Sequence, residues 1–106
     1  LWMVTDNSDL STNPIKGFHG NNAMFFFPTE GPNAGKAYRF AIGPVDAEMT
    51  GPVWSPDGKT LFLAIQHPGE DSESLDKLRS NFAAKPGTNV PRPTLVAIEG
   101  FPGWRA

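Results

Sequence analysis

The side chains of this chain that could do chemistry are mostly oxygen donors, and they are spread along it rather than bunched. Glu48 is the foremost. It falls between the Gly43-Pro44 break and Gly51-Pro52, where a short strand is expected to start, so its carboxylate can project from a strand end into an open mouth. Calcium takes about six to eight hard oxygens from carboxylates, carbonyls and water, which are the donors on offer. From position alone, a solvated loop acid is the simpler reading of Glu48. Asp6 ends an apolar run and has three readings: a metal ligand, a cap that turns the next loop through its own carboxylate, or an exposed acid. His67 sits in Gln66-His67-Pro68-Gly69-Glu70. A neutral imidazole binds transition metals or moves protons, but this pentapeptide also reads as a strand-exit turn whose side chains bond to nearby backbone, and the structural role is preferred for His67. Glu70 shares the turn and both readings. Asn21 and Asn22 can lend amide oxygens to a cation or brace their loop, bracing being commoner. His19 is expected to be exposed, and Lys59 and Arg92 are isolated cations of the kind that solvate a surface.

Sharper signatures are missing from the sequence. There is no Gly-rich loop ending in Gly-Lys-Ser/Thr, no Gly-x-Ser-x-Gly elbow and no His-Glu-x-x-His, which removes nucleotide kinase, serine hydrolase and zinc protease chemistry. Asp6 and Asp9 stand in a Ser/Asn-rich stretch, but neither start puts Gly and Glu where a calcium hand needs them. With no Cys, the chain holds no disulfide, thiol nucleophile or thiolate metal site, and redox usage is silent on compartment. A net charge of -2 gives no basic footprint for nucleic acid or an anionic membrane. No apolar run reaches the roughly 18 residues of a membrane span.

The elements that must position these residues are strands. Eleven Gly, eleven Pro, eight Phe and three Trp in 106 residues suit short strands and tight turns, so an all-β chain is expected. Expected strands are 1–6, 23–27, 36–42, 53–54, 59–66 and 94–98, with a long polar loop at 7–22 and an insertion at 67–93. Leu1 opens in mid-strand and reads like a cut end. Ser55-Pro56-Asp57-Gly58 is a turn, its Pro presetting φ and its Gly tolerating positive φ. Within the insertion, Ser72 or Ser74 ahead of Leu75, Leu78 and Phe82 predicts a short helix.

Several of these strands are apolar on both faces and so call for a sheet on each side. A radial stack of sheets meets that demand, because every blade of a β-propeller covers its neighbours. The chain then reads as about two incomplete blades. Residues 1–42 supply strands two to four of one blade, and residues 43–106 supply the first three strands of the next.

Leu1-Trp2 with Thr5-Asp6, Gly20-Asn21-Asn22, Ile42-Gly43-Pro44-Val45, Glu48-Met49-Thr50-Gly51, Ser55 to Phe62, Ile65 to Glu70 and Pro91-Arg92-Pro93 follow one another in an order and spacing that resembles the C-terminal part of PhoX-type alkaline phosphatases. The set covers nearly the whole chain. The resemblance implies a six-bladed β-propeller whose mouth holds calcium and iron and hydrolyses phosphomonoesters, in a periplasmic or secreted enzyme. It implies that Glu48 is a metal ligand and lets Asp6, in the matched Thr-Asp, be either a second ligand or a turn cap, while His67, Glu70, Asn21 and Asn22 keep the bracing roles read from their own positions. The family's iron-binding cysteine, remaining carboxylates and arginine are expected ahead of Leu1, so this chain alone is expected to be inactive. Its partners are then the remaining blades, or copies of itself through exposed strand edges. The rival reading is a non-enzymatic propeller module that serves as a binding scaffold.

Overall fold

The computed structural model describes residues 1–6 and 21–104. Most of the loop expected at 7–22, with Asp9 and His19, lies outside the described residues. Six strands run in chain order: β1 (Trp2–Val4), β2 (Ala23–Phe26), β3 (Tyr38–Ile42), β4 (Glu48–Trp54), β5 (Thr60–Gln66) and β6 (Thr94–Glu99). They form two antiparallel three-stranded sheets, β1-β2-β3 and β4-β5-β6. The chain is all-β, and no described residue is helical.

Alternation in β5 explains where the core sits. Leu61, Leu63 and Ile65 are buried while Thr60, Phe62 and Ala64 on the other face are half-buried, the period of two that places alternate side chains on opposite faces. Met24 from the first sheet, Met49 from the second and Ala47 just ahead of β4 join them in one cluster. At one end, rings from both sheets meet: Trp2 packs on Trp54 at 5.7 Å between centroids, and Trp54 on Phe101 at 4.5 Å. Aromatic pairs at such spacings add about 0.5–1.5 kcal/mol each beyond area burial.

Two expectations need correcting. β4 begins at Glu48, five residues before the expected Val53, because Gly51-Pro52 does not start the strand but interrupts it. Gly51 has φ +57° and the pairing with β5 slips there, with Thr50 opposite Ala64 and Val53 opposite Phe62. This is a β-bulge carrying one extra residue. The helix expected after Ser72 does not form. The Ser72 hydroxyl donates to the Gly69 carbonyl and accepts from the Arg79 N–H, which closes the segment as a loop. Leu75 is 76% exposed, so the costly helix nucleus would gain little burial.

The molecule is a slab of 52 × 34 × 16 Å with a radius of gyration of 15.9 Å, against about 13 Å for a compact domain of this length. Its accessible surface of 7161 Å² exceeds the value for a compact monomer of its mass by roughly 1,300 Å². Leu1, Met3, Ile42, Val53 and Leu95 are among the exposed apolar side chains.

Candidate functional site

Pairing of β4 with β5 sets Glu48 opposite Gln66, so the first carboxylate of β4 and the first side chain beyond β5 meet at one sheet end. There His67 has φ +33°, a backbone conformation that costs a non-glycine residue about 1 kcal/mol or more. Its ring stands between two acids. Nε2 lies 3.4 Å from Oε2 of Glu48, a long hydrogen bond, and Nδ1 lies 2.8 Å from Oε2 of Glu70. The second contact has ion-pair distance but no hydrogen-bond alignment, and Nδ1 is otherwise unpartnered. We therefore read it as charge attraction. Burial pushes the imidazole pKa down, but the Glu70 charge, the Glu48 hydrogen bond and the Asp46 backbone outweigh it and hold the group above its ordinary value.

Behind this row stands a stronger pair that the sequence did not disclose. Arg79 donates from Nε to Oδ2 of Asp46 at 2.6 Å and from Nη2 to Oδ1 at 3.0 Å, the two-point geometry that guanidinium and carboxylate share. The Asp46 side chain is 1% exposed. The pair ties the insertion to the turn that leads into Glu48, and the Gly69 N–H bonds to the Val45 carbonyl in support. The signal available was the Gly43-Pro44-Val45-Asp46 turn, where Asp46 adopts φ +59°, a region that Asp visits more readily than most residues. Nothing local pointed to a partner 33 residues on.

Asn22 is buried and joins the two sheets. Its Nδ2 donates to the Ala47 carbonyl at 2.9 Å, and its Oδ1 accepts from the Thr5 hydroxyl at 3.1 Å. Asn21 donates from Nδ2 to the Gly43 carbonyl at 3.2 Å. Both amides thus hold the β3–β4 connection from which Glu48 emerges. Asp6 is exposed just past β1. Lys59 and Arg92 are exposed as well, and Arg92 donates from Nε to the Ala83 carbonyl.

The test of a cation site rests on donors. The Glu48 side chain is 26% exposed and spends Oε2 on His67, so it can offer a carboxylate oxygen from the solvent side. Among the described residues no three His, Asp or Glu side chains gather as a cation site, and calcium needs about six to eight oxygens. The described residues do not fit a complete calcium or iron site, and Glu48 amounts to a single donor. Two open depressions among the described residues, about 440 Å³ beside Arg79 and Asn89 and about 420 Å³ between Ile42, Phe82 and Val96, are not lined by Glu48 or His67.

The described residues define an all-β protein of two successive three-stranded antiparallel sheets, with Glu48 at the start of β4. The sequence model of the family described as alkaline phosphatase PhoX matches residues 1–69, and the chain belongs to that family. The match takes in Asp6, Asn21, Asn22, Glu48 and His67. No curated protein and no solved structure matches the chain.

Proposed function

We propose that these residues form part of a metal-dependent phosphatase that hydrolyses phosphomonoesters, built as a six-bladed β-propeller and exported from the cytoplasm. The observation that carries this reading is the family match over residues 1–69, which includes Glu48 on its strand end. Two three-stranded antiparallel sheets in succession are what two incomplete blades would supply. Calcium and iron are the proposed metals, and bound metal would neutralise the phosphate oxygens and lower the pKa of a bound oxygen nucleophile. Glu48 is the proposed carboxylate donor from this chain, with Asp6 as a second, and the remaining donors come from elsewhere in the enzyme. His67 holds Glu48 in place through Nε2 and is held by Glu70. The Asp46–Arg79 pair fixes the turn beneath.

The test is hydrolysis of p-nitrophenyl phosphate by the full-length enzyme that carries these residues, with and without a calcium chelator. Loss of activity on chelation, and on Glu48→Gln with the fold intact, is expected, while the 106-residue chain alone turns over no substrate. Activity indifferent to both chelator and Glu48→Gln would overturn the reading.

A further inference from the structure

The family match ends at Gly69, so most of the insertion lies beyond it, yet the insertion is fastened to the sheet end where Glu48 stands. It departs at His67, whose ring contacts Glu48 and Glu70, and Gly69 donates its N–H to the Val45 carbonyl. Further on, Arg79 returns and grips Asp46, two residues ahead of Glu48. The loop 70–78 is thus pinned at both ends to the turn that leads into Glu48. Beside Arg79 the insertion forms the open depression of about 440 Å³, a volume within the roughly 300–1,000 Å³ of small-molecule sites. Its walls all belong to residues 75–89 and draw on no sheet edge and no end of the chain.

The lining has a definite chemistry. Leu75 and Leu78 give it an apolar side, and Asp76, Asn81 and Asn89 give it polar groups. Among the described residues these three polar side chains hold no hydrogen bond or ion pair. Each amide offers two donors and an acceptor oxygen, and the carboxylate accepts, a set that matches hydroxyl groups, which both donate and accept. The leucines can cover the C–H faces between such hydroxyls. Charge disfavours an anion here, because the Arg79 guanidinium is matched by Asp46 and Asp76 leaves one negative charge in the lining. No aromatic side chain lines the depression, so a flat aromatic group finds no ring to stack on.

We propose that this depression receives the alcohol side of the phosphomonoester and selects a neutral, polyhydroxylated leaving group of the sugar or polyol class. The inference rests on the phosphatase reading and adds the substrate class to it. The phosphoryl group lies toward Glu48, and the hydroxyl-bearing carbons lie toward Asn81 and Asn89, with Asp76 accepting from a hydroxyl. Arg79 belongs to both parts, since it lines the depression and holds the Asp46 turn. It therefore keeps the two at a fixed spacing. Contacts to a non-reacting part of a substrate supply binding energy that is used at the reacting centre, so this subsite acts on kcat/KM and not on the chemistry itself.

The experiment compares kcat/KM of the full-length enzyme for glucose 6-phosphate with that for p-nitrophenyl phosphate, whose leaving group carries no further hydroxyl. In the double variant Asn81→Leu with Asn89→Leu, side chains of similar size replace two exposed amides. The ratio of the two kcat/KM values is expected to fall roughly tenfold, as for the loss of two hydrogen bonds. Asp76→Ala, also at an exposed position, should lower the ratio in the same direction. Thermal melts check that both variants stay folded. An enzyme that hydrolyses both esters, with a ratio that neither variant moves, overturns the subsite and leaves the phosphatase reading standing. A protein that hydrolyses neither ester removes the phosphatase reading and the subsite with it.

Discussion

A Cβ atom on residue 58 would lie 2.5 Å from Cδ2 of the Trp104 indole. Gly58 has φ +70° in the turn between β4 and β5, and Trp104 folds back over it, its backbone N–H donating to the Asp57 carbonyl at 3.1 Å. The indole also packs edge-on against Trp54 at 5.4 Å. Gly58→Ala therefore strains the backbone and displaces the ring, together costing about 2 kcal/mol. Trp104→Ala removes the clash, so Gly58→Ala made in that background should cost only the backbone share, about 1 kcal/mol. Urea unfolding of the two single variants and the double variant reads this difference; equal costs in both backgrounds would mean that the indole is not what Gly58 accommodates.

The same turn has an acid-sensitive hinge. Asp57 accepts the Ser55 hydroxyl at 2.7 Å and the Lys59 N–H at 3.1 Å, while Ser55 Oγ accepts the Thr60 N–H at 3.0 Å. The Ser55 bond first, then the Lys59 amide, lowers the Asp57 carboxyl below its ordinary 3.8. A carboxylate whose folded pKa is depressed contributes stability above its unfolded value and loses it as pH falls through the folded one. The contribution should thus be intact at neutral pH and fade below about pH 4. Thermal melts of wild type and Asp57→Ala should differ at pH 7 and converge on acidification; a gap that widens in acid would refute the assignment.

The strands were legible in the sequence because the apolar runs at 23–26 and 60–66 and the Ser55-Pro56-Asp57-Gly58 turn are strong local signals. What misled was punctuation. Gly51-Pro52 reads as a strand start, yet a bulge can absorb a positive-φ Gly and a Pro inside a strand. The slip it introduces matters to the site. Carrying the Trp54↔Leu61 register back unbroken would set Glu48 opposite His67, whereas the bulge sets it opposite Gln66 and leaves His67 just beyond the strand. Serine-led helical spacing at 72–82 likewise lost to the Ser72 loop bonds. The Asp46–Arg79 pair was illegible because it depends on the path of the whole insertion, which no local pattern specifies.

That pair should behave asymmetrically on mutation. Arg79→Ala leaves a carboxylate with 1% exposure without its two guanidinium bonds. A fully buried pair broken this way costs about 3–5 kcal/mol. The Arg79 side chain is 38% exposed, so water can reach the gap and about 2 kcal/mol is the expected loss. Asp46→Asn keeps one oxygen for the guanidinium and tolerates the positive φ, so it should cost clearly less. Denaturant midpoints rank the two, and limited proteolysis within 70–93 should speed up more for Arg79→Ala. An Asp46→Asn chain less stable than Arg79→Ala would overturn the ranking.

Asn22 offers the most direct test of how the two sheets are joined. Its side chain spans from Thr5, past β1, to Ala47, one residue ahead of Glu48, and it is 7% exposed. Asn22→Ala leaves the Ala47 carbonyl without that bond and should cost about 1–3 kcal/mol. Asn22→Asp should be worse at neutral pH, because an oxygen would replace Nδ2 against the Ala47 carbonyl and put two acceptors face to face. Thr5→Val removes the hydroxyl that donates to Asn22 and accepts the Ala23 N–H at 2.9 Å. Since the two side chains share one network, their double variant should lose less stability than the sum of the singles, a coupling that a double-mutant cycle measures directly. Additive losses would show that Thr5 and Asn22 act separately, and the hydrogen-bonded seam would then give way to the aromatic contact of Trp2 with Trp54 as the chief link between the sheets.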